Sequence, residues 1–586
     1  MRSQYAGSIG LRRLVGGGGA PWWDTAFKTL SGVSPVLALK YDTDQYMADA
    51  AASAFDALHT FTRASLATQR DNAGTLVLAP HNLLTKSEEF DHINWAKNDG
   101  ATVSPDTDTA PDGASTADKL TITATSISNI RQTPSSLVDG TRFLAVWVKA
   151  PASGAATHMR ITTNDNVAWN TGGSTKLALT TSWQLLSLTV AMIGSSMHVH
   201  IGAPDETGTA DPDCIGDVLI WGAQFNRTPM APALGTFATT YVPTTTAAVY
   251  QHRLDHDKDG VALGLLVEEA RTNLCLWSDD QTNAAWVKTT MTAAKDQAGA
   301  DGIANSASSL LATAGNSTSL QTITSASATR VFSVLIKRIT GTGVIEITTD
   351  NGVTWVDVTS AIDATNYIQV ATGAQLVTNP VLGFRVVTSG DKIAVQFAQS
   401  EVGGFETSPI PTTTVAVTRA ADTATVDVSA MSFYQTGDVS IFIKAYGMAA
   451  DPEDAPGYNL YGDSSVSTLS RIEADFRTTE RLFAYYRNPI TFEQSQISLL
   501  APTMHDQFFK IAHGCAANDF AASYNGATVG TNSSVVPVDG FGEAGDDKLV
   551  VGAGQGTTGF FNGYISQLVV YDSRLPNADL EAIATL

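Results

Sequence analysis

The chain has 586 residues, enough for three or four domains, because single cores stop growing near ~250 residues. Only 16% of residues are charged, and the formal net charge of −22 argues against docking on DNA, RNA or an anionic membrane surface. Cys214, Cys275 and Cys515 are odd in number and far apart, which argues against a disulfide framework or a zinc site. No apolar run reaches the ~18 residues of a spanning helix, so no membrane insertion is expected.

Residues 1–80 read as a small anchoring region. The opening MRSQYAGSIGLRRLVGGGGAPWW carries Arg12 and Arg13 but no apolar core behind them, so it does not read as a signal peptide. Gly16–Gly19 form a flexible break before Pro21. Trp22 and Trp23 are costly to leave in water, which makes them the candidate docking residues; an ordinary poorly ordered terminus is the alternative. Tyr46–Leu58 (YMADAAASAFDAL) is the best helix candidate.

Residues 81–250 and 273–430 repeat one another. TRFLAVWVKAPASGAATHMRITTNDNVAW, Thr141–Trp169, returns as TRVFSVLIKRITGTGVIEITTDNGVTW, Thr329–Trp355. Each copy opens on an alternating strand and passes through an Asn/Asp/Gly turn of hairpin chemistry. The flanks repeat in the same order: NLLTKSEEFDHINWAK from Asn82 matches NLCLWSDDQTNAAWVK from Asn273, and PTTTAAV matches PTTTVAV. Three markers in fixed order mean a duplicated domain. The many short Thr-rich runs between Gly, Asn and Asp turns predict an all-β chain of tandem jelly-roll β-sandwiches. The two PTTT segments read as final strands led in by a proline. Residues 251–272 read as a connector, and 431–586 as a third sandwich.

Two stretches carry a more specific likeness. TFTRASLATQRDNAGTLVLAP (Thr60–Pro80) and HRLDHDKDGVALGLLVEEARTNL (His252–Leu274) resemble the bacteriophage tail- or head-fibre (spike) family, in which an FTRAS strand pair leads to an LGLLIEEARTNLL segment. The departure is that a whole sandwich copy stands between them. The resemblance implies carbohydrate-binding-module-like jelly rolls and a homotrimer. It also implies a virion location, with synthesis in the host cytoplasm. Implied partners are portal or neck, capsid or tail components and host polysaccharide or lipopolysaccharide. The ending GFFNGYISQLVVYDSRLPNADLEAIATL resembles the last strand and short helix of concanavalin- or laminin-G-like folds.

Asp255, Asp257, Asp259 and Gly260 match the first half of a calcium loop, but Leu266 stands where the bidentate Glu belongs, so a solvated turn competes with a calcium cofactor. His198 and His200 share one strand face, without a third zinc ligand nearby. Glu88-Glu89 and Asp279-Asp280 are sequence neighbours whose side chains diverge, unlike the facing carboxylates of a glycosidase. Trp169 and Trp355 are candidate sugar-stacking residues, with Asn164, Asn166, Asp350 and Asn351 as polar partners; a place in the core is the alternative. Trp95 and Trp286 read as core. Tyr485 and Tyr486 suit either a lectin groove or an ordinary strand. GxSxG, Walker, HExxH and β-helix patterns are absent, so no catalytic residue is expected; Glu473, Asp475 and Glu493 are the carboxylates an enzyme reading of the last sandwich would need. The leading reading is a virion fibre or spike that binds host glycans; a non-binding decoration protein and a glycan-degrading enzyme are the rivals.

Overall fold

The computed structural model describes residues 21–123, 127–134, 137, 140–165, 168–192, 196–227, 241–431, 438–447, 458–463, 471–477, 481–487, 494–500, 507–516, 518–533, 548–553 and 560–586. The chain forms two compact units, residues 77–251 and residues 1–76 with 252–586.

In the unit of residues 77–251, ten strands make a sandwich. They are β1 (Ala96–Asn98), β2 (Thr102–Asp108), β3 (Ala117–Ile122), β4 (Asn129–Gln132), β5 (Gly140–Lys149), β6 (His158–Asn164), β7 (Trp169–Ala178), β8 (Gln184–Met192), β9 (His198–Gly202) and β10 (Gly216–Arg227). One sheet runs β8-β5-β10-β3-β2 and the other β7-β6-β9-β4-β1. Between them lies a core that includes Leu144, Val146, Ile161, Val199, Ile201 and Phe225.

Within the other unit, residues 273–419 repeat this plan. The strands are β11 (Val287–Thr289), β12 (Met291–Gln297), β13 (Ala307–Ala312), β14 (Ser317–Thr322), β15 (Ala328–Thr340), β16 (Ile345–Thr348), β17 (Val356–Asp357), β18 (Ile368–Ala371), β19 (Gln375–Val377), β20 (Val381–Val386) and β21 (Lys392–Val402). The sheets run β18-β15-β21-β13-β12, with β19 also on β15, and β17-β16-β20-β14-β11. Position for position this is the strand order of the first sandwich.

The shared flank motif has a physical cause in both copies. Asn82 donates to the carbonyls of Ala223 (3.0 Å) and Val242 (2.9 Å) and accepts from the N–H groups of Leu84 and Phe225 (3.1 Å each). Asn273 does the same with Ala398 (3.1 Å), Ile410 (2.8 Å), Cys275 (2.9 Å) and Ser400 (3.0 Å). Trp95 and Trp286 are buried, and each indole donates to a carbonyl nine residues earlier, Lys86 and Trp277. Replacing Asn273 with Ala strips all four buried backbone groups of their partner, so we expect a loss of about 2–4 kcal/mol, measured by chemical denaturation. The strands after PTTT begin late, at Val249–Tyr250 and Val417–Arg419, because Thr244 and Thr412 spend their N–H groups on the Ser87 and Ser278 hydroxyls.

A third sandwich is assembled from distant parts of the chain. One sheet lines up residues 51–53, 45–48, 37–40, 563–571, 439–447, 508–516, 519–524 and 530–532, with 262–267 also pairing on 563–571. The other runs 494–500, 481–487, 471–477, 458–463, 548–551, 423–427 and 59–62. Three sequence readings change accordingly.

The helix expected over Tyr46–Leu58 is instead a hairpin, Gln45–Ala48 against Ala51–Ser53, and only Phe55–Leu58 is helical. Asp49 and Ala50 both take positive φ, 48° and 60°, which matches the twist of a two-residue hairpin, and burial of Tyr46 and Met47 overrides the helical preference of alanine. The connector over 251–272 is a core element: Leu265, Leu266 and Val267 are buried on a strand hydrogen-bonded to Gly563–Ile565. The anchoring region over 1–80 supplies strands 37–40, 45–48, 51–53 and 59–62 to this sandwich; residues 1–20 lie outside the described residues. Trp23 points into the chain's own core with Phe27, Met47, Phe442, Val569 and Leu580, and Trp22 is half-buried beneath the Lys40 ammonium at 5.6 Å.

Candidate functional site

In the sheet β7-β6-β9-β4-β1, alternate side chains divide cleanly. Met159, Ile161, Val199, Ile201 and Ile130 enter the core, so Arg160, Thr162, Asn164, His198, His200, Asn129 and Arg131 occupy the other face. Register sets Thr162, His200 and Arg131 in one row across β6, β9 and β4, and Trp169, Asn164 and His198 in the next. Trp169 is half-buried, with its ring centroid 4.8 Å from that of His200. Gly208 is required beside it, because a Cβ there would sit 2.2 Å from the indole nitrogen.

The polar groups are held from behind. His200 Nδ1 meets Asn129 Oδ1 at 3.0 Å, and Asn98 donates to the same oxygen at 3.1 Å. His200 Nε2 is buried without a partner. Burial, with Arg131 and His198 nearby, lowers the His200 pKa to about 3, so the ring is neutral; Nδ1–H donates to the Asn129 oxygen and Nε2 offers a lone pair. On the adjoining edge Asp211 binds Arg160 at 2.6 Å and Lys176 at 2.8 Å. Burial alone would raise that carboxyl, but the bonds from Lys176 and Arg160 bring it to about 2. The result is an aromatic edge beside neutral and charged hydrogen-bonding groups, chemistry suited to hydroxyl-rich ligands.

The second copy has lost this arrangement. Leu320, Gly383 and Val381 stand where Arg131, His200 and His198 stand in the first. Arg385 replaces Gly202, pairs with Glu346, and lays its guanidinium 4.3 Å from the Trp355 centroid. Asn351 is exposed at φ 63°, and Gly352 packs on the indole, where a Cβ would lie 2.8 Å away.

The other candidates separate. Asn166 lies outside the described residues, as do Glu493 and the side chains of Glu473, Asp475, Tyr485 and Tyr486, whose backbones lie on 471–477 and 481–487. Glu88 accepts from the Tyr241 hydroxyl, Glu89 pairs with Lys86, Asp279 pairs with Lys295, and Asp280 caps a turn at Thr282, so these pairs form no facing carboxylates. Asp255, Asp257 and Asp259 do not fit a calcium loop. Asp255 is buried and accepts from the N–H groups of Arg70 and His256, while Asp257 accepts from those of Asp259 and Val261 to close a tight turn. Among the described residues no three His, Cys, Asp or Glu side chains come together in a way that could hold a metal ion.

No family model and no curated protein matches the chain. Among solved structures it is similar to a CBM40 module of a Ruminococcus gnavus sialidase bound to α2,3 sialyllactose, at 16% identity over 27% of this chain and 90% of that one, TM-score 0.23. It is also similar to the tandem CBM22 domains of Paenibacillus barcinonensis Xyn10C, at 12% identity over 56% of this chain and 98% of that one, TM-score 0.24. A third likeness is to domain 4 of AbnA, a Geobacillus stearothermophilus arabinanase, in complex with arabinotriose, at 12% identity over 28% and 73%, TM-score 0.21. TM-scores this low add nothing to the strand orders above.

Proposed function

We propose that this chain is a fibre or spike of a phage virion that binds host-surface glycans, with no catalytic step of its own. The virion part of the reading is supported by the FTRAS and LGLLVEEARTN segments. The binding part is carried by one observation: the half-buried Trp169 beside His200, whose Nε2 is buried and unpartnered. A sugar ring stacks on the indole, and one hydroxyl satisfies the imidazole nitrogen. Such a site is weak alone, and a trimer on a particle gains strength through effective concentration. Trp169→Ala is expected to weaken binding to host polysaccharide about tenfold, as read by surface plasmon resonance, whereas Trp355→Ala leaves it unchanged. Equal binding by all three proteins overturns the reading.

A further inference from the structure

We infer that a second cleft, within the unit of residues 1–76 and 252–586, binds a single neutral sugar ring. This inference rests on the saccharide reading above but on different residues. The cleft has a volume of about 290 Å³, at the lower end of the ~300–1,000 Å³ of small-molecule sites, which suits one ring rather than an extended chain. Strand 68–70 brings Gln69 and Arg70 to it, the 254–256 strand brings Asp255 and His256, and the third sandwich brings Tyr446 and Tyr564.

The two tyrosine rings stand 5.8 Å apart at 69°, a corner against which the C–H face of a sugar packs. Gln69 Oε1 is buried without a hydrogen-bond partner, so it calls for a donor from the ligand. Asp255 is held rigidly by the N–H groups of Arg70 (2.5 Å) and His256 (2.8 Å). Arg70 is tied through one terminal nitrogen to the Gly74 carbonyl at 2.7 Å, and Gln369 through its amide nitrogen to the Thr407 carbonyl at 2.9 Å. Paired hydroxyls, each both donor and acceptor, answer this mixture. Three carboxylates, Asp255, Asp257 and Glu406, against Arg70 and His256 disfavour an anionic ligand.

The test is saturation-transfer NMR on the full chain with glucose, galactose, mannose and N-acetylglucosamine, each free and as the terminal unit of an oligosaccharide. At least one free sugar is expected to bind, Gln69→Leu and Gln369→Ala each to weaken it about tenfold with unchanged melting temperature, and Trp169→Ala to leave it unaffected. Binding of the oligosaccharide alone, or wild-type sugar binding by both glutamine variants, overturns the inference. Loss of all saccharide binding in Trp169→Ala also overturns it while leaving the first site standing. Absence of any saccharide binding in the wild-type chain overturns both.

Discussion

Replacing Glu268 with Gln is expected to cost about 3–5 kcal/mol and to lower the melting temperature of the unit of residues 1–76 and 252–586 by on the order of 10 °C. Glu268 is fully buried and sits at the centre of an ionic node. It pairs with Arg253 at 2.7 Å and Arg419 at 2.5 Å, and accepts from the Ser408 N–H (2.7 Å) and hydroxyl (2.6 Å). Asp422 pairs with Arg253 and, at 2.8 Å, with Arg63. All five side chains are at most 1% exposed. Burial alone would raise the Glu268 carboxyl, but the Arg419 and Arg253 guanidiniums overcome it and hold the pKa near about 2. Gln keeps the shape and removes the charge, leaving Asp422 alone against three buried guanidiniums. Differential scanning calorimetry of the variant beside Glu89→Gln reads the contrast. Glu89 belongs to the half-buried pair with Lys86 at the surface, and its loss is expected to cost at most about 1 kcal/mol. A Glu268→Gln melt within a degree or two of wild type would show that the node carries no stability.

That node explains which parts of the fold were legible in the sequence. The duplicated sandwich was visible because the same local constraints act twice: the buried Asn at 82 and 273, and the buried Trp at 95 and 286. These bonds join residues within one copy, so each copy preserves its own pattern. The third sandwich was legible only over 431–586; the strands it takes from residues 37–62, 254–267 and 423–427 were hidden, because no local pattern declares such distant pairing. A trace of it stood in the text: FTRAS at 61–65 and VTRAA at 417–421 carry Arg63 and Arg419, and both arginines enter the node with Glu268 of VEEARTN. The supposed calcium loop is a similar case. Asp71 and Asp257 close two like turns, and each turn's glycine lets it approach the other, since a Cβ on Gly74 would meet the Lys258 carbonyl at 2.2 Å and one on Gly260 the Asn72 carbonyl at 2.4 Å. Read alone, the Asp257 turn resembled ligand chemistry; together the two turns pack residues 71–75 and 257–261 against each other. At the proposed binding face, Trp169 was legible as a repeated aromatic. His200 gained its meaning only from the strand register that sets it beside Trp169.

Acid is expected to destabilise this same unit well above the pH at which Glu268 titrates. His59 is buried, stacked on Phe55 with centroids 4.0 Å apart, and bonded through Nε2 to the Tyr41 hydroxyl at 2.8 Å. Burial lowers its pKa to about 4. His513, wholly buried in the 508–516 strand, is lowered to about 3 by burial and then by Arg574. His252 also stacks on Phe55, at 3.5 Å, and burial, then His59 and Arg63, lowers its pKa to about 3, so it adds to the same loss. Each imidazole is neutral in the fold and has an ordinary pKa of 6.5 once unfolded. The unfolded chain therefore takes up protons first as pH falls. The stability from these groups is complete above 6.5 and is lost progressively between 6.5 and about 3–4. At about 1.4 kcal/mol per pH unit, His59 and His513 together are expected to cost roughly 4 kcal/mol between pH 6.5 and pH 5, whereas Glu268 begins to lose its contribution only below about 4.5. Calorimetry at pH 7.5 and 5.0 should show a drop at least that large, and His513→Leu should cut it by about a third while changing the pH 7.5 melt far less. A melting temperature flat across that interval would mean that both imidazoles already reach solvent in the folded chain.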